Sequence, residues 1–157
     1  MADRLPKRGV DRPAPLWWVG VHGGAGETTL EHLIAGSRAA AHAWPIGYDG
    51  ATTNVVLVAR SNASGLAAAQ RAAIEWASGV IPSVNLIGLV IVADAPGKPP
   101  KPLRELAHLV SGGVPQTWHV PWVEGWRLGE TPDLQRAPRD VRALIASVSV
   151  LTNTTSA

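Results

Sequence analysis

The chain of 157 residues contains no cysteine and no phenylalanine, and it has only one tyrosine and one methionine. The absence of cysteine excludes a disulfide framework, a thiol nucleophile and a thiolate zinc site. No apolar run approaches the roughly 20 residues that a membrane helix needs, so membrane insertion is not expected. Basic residues interrupt the first 15 residues, which is unlike a secretory signal, and the expected location is therefore cytoplasmic.

Charge is sparse, and its excess lies at one end of the chain. There are 14 Lys and Arg against 12 Asp and Glu, which gives a net charge of +2. Residues 1–12 hold four bases and two acids, so residues 13–157 hold ten of each and are balanced. This pattern predicts a flexible basic tail over residues 1–14, either solvated or in contact with an acidic partner or nucleic acid. The balanced remainder lacks the basic surface of a nucleic-acid-binding domain, so nucleic acid is not the expected partner.

The rest of the sequence, rich in apolar residues, alternates between two kinds of hydrophobic pattern. Apolar runs bounded by glycine, proline or polar residues predict strands over residues 16–21, 54–60, 86–93 and 117–120. Apolar residues at helical spacing predict helices over residues 28–43, 66–77, 103–110 and 138–148. This alternation predicts one three-layer α/β domain over residues 15–150, with a mostly parallel sheet of about four or five strands and helices on both faces. Residues 151–157 are expected to form a disordered C-terminal tail.

One segment, between the first predicted strand and the first predicted helix, has the residue types of a ligand-binding loop. Its residues are His22, Gly23, Gly24, Ala25, Gly26, Glu27, Thr28 and Thr29. The glycines let the backbone turn its N–H groups toward a bound group, and α/β sheets place ligand-binding loops at this position. The segment therefore predicts an anion-binding loop. The alternative is a glycine-rich turn that only begins the first helix.

This segment resembles the deviant Walker A loop of the ParA/MinD family of P-loop ATPases, Lys-Gly-Gly-x-Gly-Lys-Thr-Thr, at six of eight positions. The resemblance implies a truncated P-loop NTPase-like fold and, if nucleotide binds, Thr28 as a ligand of Mg²⁺. The two mismatches are His22, in place of the signature Lys, and Glu27, in place of the phosphate-binding Lys. A Glu27 that faced the phosphates would repel them by about 4 kcal/mol per pair of unit charges at about 4 Å. No cofactor is therefore expected, with ATP or GTP and Mg²⁺ as the alternative.

The part of the family pattern that carries the Mg²⁺-linked aspartate, Walker B, has no counterpart. Residues 44–53 are too few for the missing strands, and Asp49 is the only carboxylate among them. Asp94, at the end of the third predicted strand, is a candidate substitute, and the alternative is a turn-forming aspartate. His22 is a candidate ligand contact, with a simple loop hydrogen bond as the alternative. No catalytic residue is predicted, and the five histidines lack metal-ligand spacing.

Tryptophan is over-represented, with seven in the chain. Trp118, Trp122 and Trp126 recur every fourth residue, but the proline and glycine between them argue against a helix. The three rings either close one end of the core or stand partly exposed as a partner site, which Arg127 would complete.

These patterns lead to one main hypothesis of function. The chain is predicted to be a catalytically degenerate P-loop NTPase-like protein that acts as a protein-binding or scaffold subunit, with a protein partner. The alternative is a sensor of ATP or GTP, or a slow ATPase, that still uses the glycine-rich segment, with a homodimer in which a neighbour supplies the missing cation. A third hypothesis is an enzyme that acts on another phosphate ester.

Overall fold

The structure, a computed structural model, describes residues 4–156, with side chains through residue 152. The strands are β1 (Lys7–Val10), β2 (Trp17–Gly20), β3 (Arg38–Ala39), β4 (Trp44–Gly47), β5 (Thr53–Arg60), β6 (Val84–Val92) and β7 (Thr117–Val120). The helices are α1 (Glu27–Glu31), α2 (Ala63–Ala77), α3 (Lys101–Ser111), α4 (Glu124–Arg127) and α5 (Arg139–Ser156), with 3₁₀ turns at Tyr48–Gly50 and Leu134–Arg136.

The main sheet has five parallel strands in the order β3-β2-β5-β6-β7, and β1 and β4 form a separate parallel pair. Successive side chains of a strand point to opposite faces, so β5 sends Val55 and Leu57 into one core and Val56 and Val58 into the other. Helices α2 and α3 contribute to the first core, and α1 and α5 contribute to the second. The predicted α/β class, with a parallel sheet and helices on both faces, is confirmed.

The strand order creates one crevice at the carboxyl edge of the sheet. From β2 the chain passes through α1 to β3 on one side, and it later returns to place β5 on the other side of β2. Helix α1 packs in the core on one face, whereas α2, which follows β5, packs in the core on the opposite face. Ligands of open α/β sheets bind at such a switch point, outside the carboxyl ends of the strands. The crevice lies between the segment after β2 and the end of β5.

The predicted helix over residues 28–43 is wrong beyond its first turns. Helix α1 ends at Glu31, and the chain turns at Gly36, whose φ is +85°. Residues 38 and 39 then pair with β2, and Ala41 and His42 adopt left-handed backbone conformations with φ of 54° and 61°. Pairing with the exposed edge of β2 has overridden the helical preference of an alanine-rich segment.

The predicted limits of the domain also need correction. The expected flexible tail over residues 1–14 contains β1, which pairs with β4, and Leu5 is buried in the first core. The expected disordered tail over residues 151–157 overlaps α5, which extends to Ser156, and residue 157 lies outside the described residues. Among residues 4–156, no helix combines the length and the apolar character needed to cross a membrane.

Gly88 allows β7 to lie against β6, and we expect alanine there to destabilise the protein. A Cβ on Gly88 would lie 2.5 Å from the carbonyl oxygen of Gln116 and 2.7 Å from a ring carbon of Trp118. Overpacking of this kind costs about 1–3 kcal/mol. Urea unfolding should show this loss for Gly88→Ala. Gly112→Ala is the control, because its Cβ would meet only the Leu109 carbonyl at 3.4 Å, and it should change stability by less than about 1 kcal/mol. Equal stability of the two variants would contradict the packing described.

Candidate functional site

A small cleft of about 50 Å³ opens at the carboxyl edge of the sheet, at the switch point. We call residues 22–29 the glycine loop and residues 121–128, which include α4, the α4 segment. The glycine loop forms one wall of the cleft, the α4 segment forms another, and the ends of β5, β6 and β7 form the floor. The polar and aromatic groups of the lining are Thr29, Arg60, Trp122, Trp126 and Arg127.

Arg60, the last residue of β5, places a cation against the glycine loop. Its Nε donates to the carbonyl oxygen of Gly24 at 3.0 Å, and its Nη1 donates to the carbonyl oxygen of Ala93 at 3.4 Å. A Cβ built on Gly26 would lie 4.0 Å from Arg60 Nη2. The loop therefore has a neighbouring guanidinium group from another strand, although Glu27 replaces the lysine of the Walker A pattern.

Two arginines line the cleft, and two carboxylates, Asp94 and Glu124, lie next to its lining. Burial lowers the pKa of Arg60, the nearby Arg127 lowers this pKa further, and Asp94 raises it. A guanidinium group nevertheless stays charged at neutral pH. Arg60 and Arg127 place two positive charges in the cleft lining, whereas the carboxylates of Asp94 and Glu124 lie beside the lining, against Arg127 and the Trp122 indole.

Arg127 holds its guanidinium group over an aromatic ring at the rim of the cleft. Its Cζ lies 4.6 Å from the centroid of the Trp122 ring, a cation–π geometry. Its Nη2 lies 3.8 Å from Oδ1 of Asp94, whose other oxygen accepts from Asn62 Nδ2 at 3.3 Å. Asp94 thus neighbours the cleft through Arg127, and both of its oxygens have partners.

Glu27 lies outside the cleft lining and has a structural role. Its Oε2 accepts from the backbone N–H of Gly20 at 2.6 Å and from that of His42 at 3.3 Å. The His42 Nδ1 in turn lies 2.5 Å from the carbonyl oxygen of Gly20. In this structure the carboxylate of Glu27 ties the end of β2 to the segment after β3.

His22 is a loop hydrogen-bonding residue in this structure. Its Nε2 accepts from the backbone N–H of Arg60 at 3.0 Å, so the ring proton lies on Nδ1, which donates to the carbonyl oxygen of Gly23 at 2.9 Å. His22 is absent from the cleft lining. It fixes the backbone of Arg60 relative to the glycine loop.

The other predicted residues of the segment are divided between core, solvent and cleft. Ala25 is buried in the second core, and Thr28 is exposed and absent from the cleft lining. Gly26 and Thr29 line the cleft. Asp49 lies before the start of β5, at the sheet edge opposite the cleft. The structure therefore brings together only part of the segment that the Walker A resemblance selects.

The three tryptophans differ in their surroundings. Trp118 and Trp126 are partly buried and pack against the second core, in agreement with the core-closing alternative. Trp122 lies in the cleft wall, and its Nε1 donates to Glu124 Oε2 at 2.7 Å. Trp126 contributes to the same wall and also packs against the second core, so its ring lies between this core and the cleft.

Arg60 is the residue of this site that sequence analysis did not identify. Its position in the sequence was the available signal. Arg60 is a charged residue at the end of an apolar run, and this run is the next predicted strand after the glycine-rich segment and its helix. Carboxyl ends of adjacent parallel strands meet at one edge of a sheet, so such a residue is a candidate for the site. Among the described residues, no group of three His, Asp or Glu side chains is arranged to hold a metal ion.

The fold and the cleft define a small parallel α/β protein with an arginine- and tryptophan-lined crevice at its switch point. Residues 14–145 match the model of DUF6668, described as a family of unknown function, and the chain belongs to this family. Neither the curated proteins nor the solved structures gave a match.

Proposed function

We propose that this protein binds a phosphate-bearing ligand, a nucleotide or a smaller phosphate, in the cleft between the glycine loop and the α4 segment. The observation that carries the proposal is Arg60, whose guanidinium group lies in the cleft and donates to Gly24 of the glycine loop. Arginine is the side chain best suited to phosphate oxygens, because its planar fork donates two parallel hydrogen bonds. The protein is then P-loop-like in the position of its ligand, with the cation supplied by β5.

The orientation of Glu27 supports the same proposal. An anion in the cleft is not opposed by this carboxylate, because Gly20 and His42 hold it outside the cleft lining. The strongest reason in the sequence for expecting weak phosphate binding is thereby removed. The orientation of Glu27 therefore favours the ligand-binding alternative over a purely structural scaffold.

We propose binding without hydrolysis. Hydrolysis of a phosphoanhydride requires a group that orients the attacking water. The carboxylates near the cleft already have partners: Asp94 contacts Arg127 and Asn62, Glu27 accepts from two backbone N–H groups, and Glu124 accepts from the Trp122 indole. The protein then acts as a sensor or a ligand-loaded subunit, and the ligand is released unchanged.

Calorimetric titration of the purified protein tests the proposal. The ligands are pyrophosphate, ADP and ATP, each with and without Mg²⁺, and we expect saturable heat with at least one of them. The same samples incubated with ATP should release no phosphate above the rate without protein. Absence of heat with every ligand would exclude phosphate binding, and sustained phosphate release would exclude a binding-only function.

A protein-docking surface on the α4 segment is a second candidate function. Leu128 is 74% exposed, and Trp122 and Arg127 beside it are the residue types that dominate binding energy at interfaces. We expect Trp122→Ala and Leu128→Asp each to weaken binding of a protein partner at least about tenfold while leaving the circular dichroism spectrum unchanged.

A second copy of the chain is the partner to test first, by sedimentation velocity over a range of concentrations. A dimer that both substitutions dissociate would support the surface. If a dimer forms and neither substitution weakens it, the α4 segment is not its interface. If only monomer is found, affinity purification compares the proteins that bind wild type with those that bind the two variants. Partners that bind wild type and both variants equally would exclude the α4 segment as the docking surface.

A further inference from the structure

The charged side chains that line the cleft are arginines. This composition limits the charge and the chemical class of the ligand. Arg60 and Arg127 both contribute to the lining, whereas no Asp or Glu among residues 4–156 does. Asp94, outside the lining, offsets one of the two positive charges through its contact with Arg127. The two guanidinium groups lie at a crevice whose floor includes the buried Val92 and Val120, and interactions between charges are stronger there than in bulk water.

Within the described part of the chain, no carboxylate lines this cleft to hold a divalent cation. Proteins that bind Mg²⁺ beside a phosphate usually supply one or two carboxylates to its octahedral shell. Thr28, the residue that the Walker A resemblance assigns to Mg²⁺, is exposed and absent from the lining. A metal ion near the two guanidinium groups would also be repelled by them.

We infer that the ligand is a phosphate-bearing anion bound without magnesium, with a phosphate group between Arg60 and Arg127. This inference rests on the proposed function and adds the chemical form in which the ligand binds. Arg60 reaches the cleft from the end of β5, and Arg127 reaches it from α4. A tetrahedral phosphate accepts hydrogen bonds from both walls, whereas one guanidinium group satisfies the two coplanar oxygens of a carboxylate.

Arg60 and Arg127 border one crevice, and their like charges repel each other. After burial, Arg127 is the second cause that lowers the pKa of Arg60, as expected for like charges that border one cleft. An anion placed between them removes this repulsion and forms two charge-assisted contacts. Magnesium bound to the same anion would cancel part of its negative charge and weaken both contacts.

Calorimetric titration with pyrophosphate in EDTA, and again with excess Mg²⁺ at equal ionic strength, tests the inference. We expect the affinity in EDTA to equal or exceed the affinity with Mg²⁺, and we expect Arg127→Gln to lower the affinity in EDTA about tenfold. Arg142→Gln, an exposed residue of α5, is the matched control and should bind as wild type does.

The outcomes separate the inference from the proposed function. Binding that is more than about threefold tighter with Mg²⁺ would overturn the magnesium-free ligand while leaving phosphate binding in place. Acetate that competes as well as pyrophosphate would overturn the assignment to phosphate. If pyrophosphate, ADP and ATP all fail to bind in either buffer, the proposed function itself fails, and the inference with it.

Discussion

Arg60→Gln should lower the affinity of the protein for pyrophosphate about 10- to 100-fold. The substitution removes the charge that lies against the glycine loop and the two hydrogen bonds to Gly24 and Ala93. A hydrogen bond that involves a charged group contributes about 1.5–3 kcal/mol, which corresponds to this range of affinity. The measurement is calorimetric titration, with circular dichroism and a thermal melt to establish that the variant is folded.

Two further variants make this prediction specific. Arg60→Lys keeps the charge but loses the fork that bridges the loop and the end of β6, so its affinity should lie between those of wild type and Arg60→Gln. Arg142→Gln removes an exposed arginine of α5 and should have no effect. A folded Arg60→Gln protein that binds pyrophosphate as wild type does would show that β5 does not supply the cation.

Glu27→Lys should destabilise the protein and should not create tighter nucleotide binding. The Walker A resemblance alone suggests that lysine at this position restores a phosphate contact. In the structure, however, the carboxylate accepts hydrogen bonds from Gly20 and His42, and an ammonium group accepts none. A buried donor left without an acceptor costs about 1–3 kcal/mol, so the free energy of unfolding should fall by at least this amount.

Urea unfolding of wild type, Glu27→Lys and Glu27→Gln measures this effect. Glu27→Gln retains an acceptor oxygen and should lose less stability than Glu27→Lys. Glu105→Lys, at an exposed position on α3, is the matched control and should change stability by less than about 0.5 kcal/mol. If Glu27→Lys were as stable as wild type and bound ATP more tightly, the carboxylate would have to face the cleft.

The parts of the fold that the sequence predicts well are those where local pattern and tertiary environment agree. β5 and β6 are dominated by apolar residues on both faces, which is what a strand covered on both faces requires. α2 contains the predicted helix over residues 66–77 and begins at Ala63, where Asn62 Oδ1 accepts from Gly65 N at 2.7 Å as the N-cap. α3 starts with a proline in its first turn and ends at Gly112.

The parts that the sequence does not predict are stabilised by contacts between distant segments. β3 has two residues and exists because it pairs with β2. β1 has the sequence KRGV, which has no apolar alternation, and its partner β4 contains a proline. The alanines between β3 and β4 favour a helix, yet Ala41 and His42 are held in left-handed conformations beside the contact of His42 with Glu27.

The position of the candidate site can be predicted from the sequence, but the residue that supplies its positive charge cannot. A glycine-rich segment after the first strand of a parallel sheet marks the switch point, and the cleft lies there. The motif assigns the ligand charge to position 27 because it treats the loop as a self-contained unit. The positive charge comes from Arg60, which is 33 positions further along the chain, and only the strand order β2-β5 brings the two segments together.

The most direct measurement of the central claim is a ¹H–¹⁵N correlation spectrum of the labelled protein during titration with pyrophosphate. We expect the largest shifts at the side-chain Nε–H of Arg60, the indole N–H of Trp122 and the amides of Gly26 and Thr29, which all belong to residues of the cleft lining. Shifts confined to another surface, or a spectrum unchanged at millimolar pyrophosphate, would contradict a phosphate site between the glycine loop and Arg60.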